Sequence, residues 1–187
     1  TPIEHLQLNL PGHHQRENAS LALASVMLLR ERGWTIPDHA VRKALAEIEV
    51  PCRVERLTLK HRNETAPPTV IVDGAHNKAS AEALLDALMM QRFDQTIKGR
   101  KILLFGSTIG KDVPGMLETL SPFFDEVWLS QYTTSPRAVP VDSLHETTRA
   151  VVASSQKITV FPILSDAVET LWQSLQSDDL LCVTGSM

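Results

Sequence analysis

Val70-Ile71-Val72-Asp73-Gly74-Ala75-His76-Asn77, followed by apolar residues at Ala81, Leu84, Leu85 and Leu88, decides the fold. Three consecutive β-branched residues ending at a polar, glycine-containing turn suit a strand buried on both faces. The i, i+3, i+4, i+7 spacing behind them is that of a helix. The same alternation continues down the chain. Apolar runs recur at Ile102–Phe105, Val127–Leu129, Ile158–Phe161 and Leu180–Val183, and helix-period sets fall between them at Val113, Met116, Leu117, Leu120 and at Val168, Leu171, Trp172, Leu175. A less regular helix is expected from Val141 to Ser154. Such an order predicts an α/β fold, a doubly wound and mostly parallel sheet, with ligands bound outside the carboxyl ends of its strands.

Upstream, the pattern changes. Residues from Arg16 to about Gly33 are Ala/Leu-rich and apolar around much of a helical circumference, which predicts a buried helix ending at Gly33. A second helix is expected from Pro37 to about Glu49, and Val54 to Lys60 alternates like a half-exposed strand. This divides the chain into a helical piece over residues 1–50 and an α/β domain over 51–187.

Length and composition exclude several classes. The 187 residues are 43% hydrophobic and 21% charged, which rules out disorder and disulfide scaffolds. With 18 basic and 22 acidic residues, the net charge of −4 and the lack of a basic run argue against nucleic-acid and membrane partners. Cys52 and Cys182 belong to no CxxC, and no run is long enough to span a bilayer, so a cytoplasmic setting is the default. The chain opens on Thr1 and stops just after Gly185-Ser186, so it is expected to be a fragment at both ends.

Three strand ends carry candidate chemistry. Gly106 to Asp112 resembles a phosphate loop but has one residue too few between its glycines, and Asp112 where Ser or Thr is required; a strand-to-helix turn with Asp112 at the helix start is the other reading. No G-x-G-x-x-G or G-x-S-x-G follows a strand. His13-His14 has no partner at metal-ligand spacing, and no metal site is expected in these residues. Asp73-Gly74-Ala75-His76-Asn77 fits two roles. Asp73 can accept ribose hydroxyls while His76 and Asn77 offer donors over a helix start, or Asp73 or Asn77 merely caps the helix. Arg53 and Arg137 are cations that fit either an anion site or a solvated surface.

In order, Gly12-His13-His14-Gln15-Arg16-Glu17-Asn18-Ala19, Pro51-Cys52-Arg53-Val54-Glu55, Asp73-Gly74-Ala75-His76-Asn77, Lys111-Asp112, Ser135-Pro136-Arg137-Ala138 and Gly185-Ser186 form a set. Across essentially the whole chain, this set resembles the carboxyl-terminal portion of the folylpolyglutamate synthases, a branch of the Mur ligase superfamily. Two positions depart from the family pattern: Cys52 stands where Pro-Gly-Arg has its glycine, and Lys78 where a proline follows Asp-Gly-Ala-His-Asn.

The resemblance implies an ATP-dependent ligase that adds glutamate to folate through an acyl phosphate, with dihydrofolate synthase activity open. It implies Asn18 at adenine, Arg53 at the ATP phosphates and Asp73 at ribose. His76 would stand near the phosphates and the entering amino acid, with Asn77 beside it. Ser186 would lie beside the glutamate, with Lys111 and Asp112 on the same rim. Asp73→Ala is then expected to weaken ATP use and leave the fold intact. The glycine-rich phosphate loop, the magnesium ligands and the folate pocket are absent from this sequence and are expected in a preceding ATPase domain of the same chain. Residues 1–50 would be the tail of that central domain. The competing expectations are a muramyl-type ligase fragment and a non-catalytic nucleotide- or amino-acid-binding module.

Overall fold

A computed structural model describes residues 3–58 and 67–186. The chain forms two compact units, Thr1–Pro51 and Cys52–Met187. The first holds α1 (His13–Glu31) and α2 (Asp38–Glu47). They are tied by an ion pair from Arg30 to Asp38 at 2.8 Å, and Asn9 N donates to the Leu45 carbonyl at 3.0 Å.

The expectation of a buried first helix is not met. Gln15 is the only buried residue of α1, and Leu21 and Leu28 are 68% and 57% exposed. An all-round apolar helix needs neighbours on several sides, and this unit supplies a single helix of 10 residues.

The second unit begins with β1 (Glu55–Leu57) and β2 (Thr69–Val72), followed by α3 (Lys78–Met90), the short α4 (Phe93–Thr96) and β3 (Lys101–Gly106). It continues with α5 (Val113–Leu120), β4 (Glu126–Ser130), α6 (Val141–Val151), β5 (Lys157–Phe161), α7 (Leu164–Ser174) and β6 (Leu180–Gly185). The expected strand over Val54–Lys60 is shorter, and its positions Leu59 and Lys60 lie outside the described residues. The irregular helix ends at Val151, because Val152 has already turned extended. The local pattern did not anticipate α4 or the 3-10 turn Ser121–Phe123 after α5.

The strands form one sheet in the order β1-β2-β6-β3-β4-β5, antiparallel at the β1 edge and parallel elsewhere. Successive strand residues point to opposite faces. Ile71, Leu103, Phe105, Val127, Leu129 and Cys182 therefore meet Leu84 and Leu88 of α3, Met116 and Leu117 of α5 and Leu144 of α6. On the other face Val70, Ile102, Leu104, Trp128 and Leu181 meet Ala167 and Leu171 of α7. Fully burying one such side chain contributes about 1.5–3 kcal/mol.

The last crossover places the site. From β3 through β5 the chain steps outward with its helices on one face. It then returns by α7 across the opposite face and inserts β6 between β2 and β3. Three carboxyl ends from distant parts of the sequence thus become neighbours. Among the described residues, no helix is long and apolar enough to cross a membrane.

Candidate functional site

Asp73 ends β2 and is 8% exposed. Its Oδ1 accepts the Ala75 N–H at 2.8 Å and its Oδ2 the Val54 N–H at 2.9 Å. The carboxylate therefore pins the turn carrying Cys52 and Arg53 to the end of the sheet. That turn is conformationally costly, since Cys52 and Val54 lie in the left-handed region at φ 56° and 50°. Glycine is the natural occupant of such a position, in keeping with the glycine that the resemblance implies where Cys52 stands. Gly74 donates to the Cys52 carbonyl at 2.8 Å, so the close approach it permits is to this turn. Arg53 is exposed on the turn.

This geometry gives Asp73 a structural part beside the expected one, so Asp73→Ala is expected to cost stability as well as ATP use. Alanine would leave two backbone donors of a strained, buried turn without their acceptor.

His76 is half-buried, and its Nδ1 lies 2.9 Å from the Gly74 carbonyl oxygen. A carbonyl only accepts, so Nδ1 carries the proton, and in the neutral ring Nε2 keeps its lone pair. Asn77 is the N-cap of α3: its Oδ1 accepts from Ser80 N at 2.8 Å, while Ser80 Oγ accepts from Asn77 N at 3.0 Å. Of the two roles open at this motif, the capping one therefore belongs to Asn77, and Asp73 is committed to the turn. Asp112 likewise caps α5 through the Gly115 N–H at 3.0 Å, the alternative reading of the phosphate-loop look-alike. Lys111 is half-buried beside it, its N–H 3.3 Å from the Thr108 carbonyl.

The end of β6 meets the end of β3. Gly185 pairs with Gly106 in register and has φ 116°, and a Cβ there would collide with the Gly106 carbonyl oxygen. Only glycine fits, and the chain turns to set Ser186 against Thr108. Thr108 Oγ1 lies 2.6 Å from Ser186 Oγ, 2.7 Å from the Ser186 carbonyl oxygen and 3.0 Å from the Tyr132 hydroxyl. The segment after β4 is clamped to the same loop: Ile109 N donates to Arg137 O and Val139 N to Ser107 O, both at 2.8 Å. That brings the exposed Arg137 to this rim. Behind the rim, Thr184 Oγ1 is buried without a hydrogen-bond partner among the described residues.

Sequence reasoning missed Thr108 and Tyr132. Thr108 was visible only as the interior of a failed phosphate loop. Its signal lay in standing just past a strand end, where parallel sheets bind ligands. Asn18 is exposed on α1 and donates to Gln15 Oε1 at 3.3 Å, and Gln15 in turn contacts His14 Nε2 at 3.0 Å. Two surface cavities of about 680 and 520 Å³ border the opposite, amino edge of the sheet and contain none of these side chains.

The fold is an α/β domain whose parallel strands end at a common carboxyl edge, the place where sheets of this kind bind ligands. Residues 55–187 match the family Mur ligase, glutamate ligase domain, and the chain belongs to that family. It is 38% identical over 141 residues to the dihydrofolate synthase/folylpolyglutamate synthase of Mycobacterium tuberculosis, covering 74% of this chain and 26% of that protein. The folylpolyglutamate synthase of Mycobacterium tuberculosis complexed with ADP superposes with a TM-score of 0.77 at 30% identity, over 97% of this chain and 39% of that one. A bifunctional folylpolyglutamate synthase/dihydrofolate synthase with Mn, AMPPNP and L-glutamate bound gives 0.71 at 26% identity, over 96% and 38%. The chain thus spans about a quarter to two fifths of the length of these relatives.

Proposed function

We propose that the chain is the carboxyl-terminal part of an ATP-dependent ligase that adds glutamate to a folate. Residues 1–50 would be the tail of its central ATPase domain. The observation that carries this reading is the insertion of β6 between β2 and β3, which gathers Asp73, His76, Thr108 and Ser186 at adjoining strand ends. The exposed apolar residues of α1 support its belonging to a larger domain.

ATP, when bound, would supply the phosphoryl group that turns the folate carboxylate into an electrophilic acyl phosphate. Arg53 and Asp73 of the α/β unit are proposed to hold it, and for Asn18 of the helical unit the adenine role that the resemblance implies is a separate proposal. What supports Asp73 is its place at the carboxyl end of β2, where parallel sheets bind ligands, and its hold on the turn that carries Arg53. Arg53 adds positive charge on the turn that Asp73 fixes. His76, with Nε2 as its acceptor, would face the phosphates or the entering amino acid. Ser186 would contact that amino acid, with Asn77, Lys111 and Asp112 on the rim. Among the described residues, no three His, Cys, Asp or Glu side chains cluster. In this reading the magnesium ion would be held by other domains of the complete enzyme. A cytoplasmic setting accompanies this reading.

The test is ATP-dependent ligation by the complete enzyme, with a reduced folate or a muramyl precursor as acceptor. ADP formed in step with glutamate incorporation into folate is the expected result. Incorporation only into the muramyl acceptor would overturn the folate assignment, and measurable turnover by the 187-residue chain alone would overturn the fragment reading.

A further inference from the structure

The hydroxyl cluster at the ends of β3, β4 and β6 has a proton count that constrains its ligand. Thr108 Oγ1 reaches the Ser186 carbonyl oxygen, Ser186 Oγ and the Tyr132 hydroxyl, at 2.7, 2.6 and 3.0 Å. The carbonyl can only accept, so the single Thr108 proton goes there. The two lone pairs of Thr108 then receive the protons of Ser186 and Tyr132. No other assignment makes all three bonds, and this one uses every hydroxyl proton of the trio.

Lone pairs are what Ser186 has left to offer a ligand. A carboxylate presented to them meets only repulsion, whereas an amine or ammonium N–H donates to them. We propose that Thr108 is a positioning residue that makes Ser186 a hydrogen-bond acceptor, and that Ser186 receives an N–H of the incoming amino acid's α-amine and not its carboxylate. Holding one N–H fixes the direction of the nitrogen lone pair that must attack the activated carboxyl carbon. The rigid Gly106–Gly185 approach supports this role, since it leaves Ser186 little freedom to turn away from Thr108. Tyr132, 24 residues beyond Thr108, braces the same oxygen from the neighbouring strand end.

This inference rests on the glutamate-ligase reading and specifies how that site recognises its amine. The experiment uses the complete ligase as wild type, Thr108→Val and Thr108→Ser, with KM measured separately for glutamate and for ATP. Valine keeps the shape and removes the hydroxyl, so Ser186 regains a free proton. The expected result is a glutamate KM raised about tenfold, the effect of losing one hydrogen bond to a charged group. The ATP KM should stay within about twofold, and serine should restore the glutamate KM. In the wild type, 2-hydroxyglutarate, which exchanges the ammonium for a hydroxyl, should compete poorly with glutamate, and Thr108→Val should narrow that difference. An unchanged glutamate KM in Thr108→Val overturns the proposal. So does a parallel rise in both KM values that serine does not rescue, which marks a purely structural role. Wild-type enzyme that makes no ADP with folate and glutamate overturns the underlying reading instead.

Discussion

The Asp73 carboxylate accepts the backbone N–H of Val54 at 2.9 Å, joining the end of β2 to a turn 19 residues earlier in the chain. Because Cys52 and Val54 both hold left-handed backbone conformations, the bond does more than decorate the turn: it keeps Arg53 at the edge of the sheet against the turn's own preference to relax. One residue thereby serves architecture and, in the proposed ligase, nucleotide binding.

Asp73→Ala is expected to lower stability by about 2 kcal/mol or more, since each orphaned buried donor costs about 1–3 kcal/mol. In the complete enzyme, ATP affinity should fall with it, through the loss of both the ribose acceptor and a fixed Arg53. Denaturant midpoints of wild type, Asp73→Ala and Asp73→Asn measure the first effect. Unchanged midpoints would show that the turn does not depend on the carboxylate.

Cys52→Gly should stabilise the chain. A non-glycine residue in the left-handed region costs about 1–2 kcal/mol, and the greater unfolded-state freedom of glycine cancels about half of that, so a net gain of up to about 1 kcal/mol is expected. The exposed Cys52 side chain gives up little packing in exchange. A lower midpoint for the glycine variant would mean that the side chain makes contacts that outweigh its backbone strain.

Much of this architecture was legible because strands buried on both faces are written as short apolar runs and helices as 3.6-residue stripes. Strand order was not legible in the same way. Nothing local to Leu180–Gly185 says that it inserts between strands separated from it by most of the domain. Asp73, His76 and Ser186 could be picked out because they sit in a recognisable ordered set. Thr108 and Tyr132 belong to no such string, and their partnership exists only once three strand ends are side by side. The exposure of α1 escaped sequence reading for another reason. An apolar circumference records what a helix can bury when it has neighbours, and the first unit places only α2 beside it.

The two cysteines should differ sharply in reactivity. Cys52 is exposed, whereas Cys182 is fully buried on β6, where burial and, secondarily, the negative charge of Asp73 push its thiol far above the ordinary range. The thiolate is the reactive form. A thiol reagent should therefore modify one equivalent quickly in the native chain, and the second only at the rate of unfolding. Two equivalents reacting together under native conditions would contradict the packing of β6.

Acid should expose the contribution of Glu126, at the amino edge of the sheet. Its side chain is 10% exposed; Oε2 accepts Trp128 Nε1–H at 2.9 Å and a Lys157 ammonium proton at 3.0 Å, and Oε1 faces Arg100 Nη1 at 3.5 Å. Burial pushes this carboxyl up, but the hydrogen bonds from Trp128 and Lys157 and the charges of Lys157 and Arg100 outweigh it and hold the group below its ordinary value of 4.5. A carboxyl held low in the folded state adds stability that is fully present above its unfolded value and disappears as pH falls through the folded one. Lys157 is 63% exposed, so solvent screens its share, and the bond from the buried Trp128 is the larger structural tie. Glu126→Gln should accordingly be less stable than wild type at neutral pH by about 1–3 kcal/mol, the range for a hydrogen-bonded charged group. That deficit should shrink as pH is lowered below 4.5. Denaturant midpoints of the two proteins across that range decide the matter, and a deficit that stays constant or grows on acidification would remove Glu126 from the acid response of the fold.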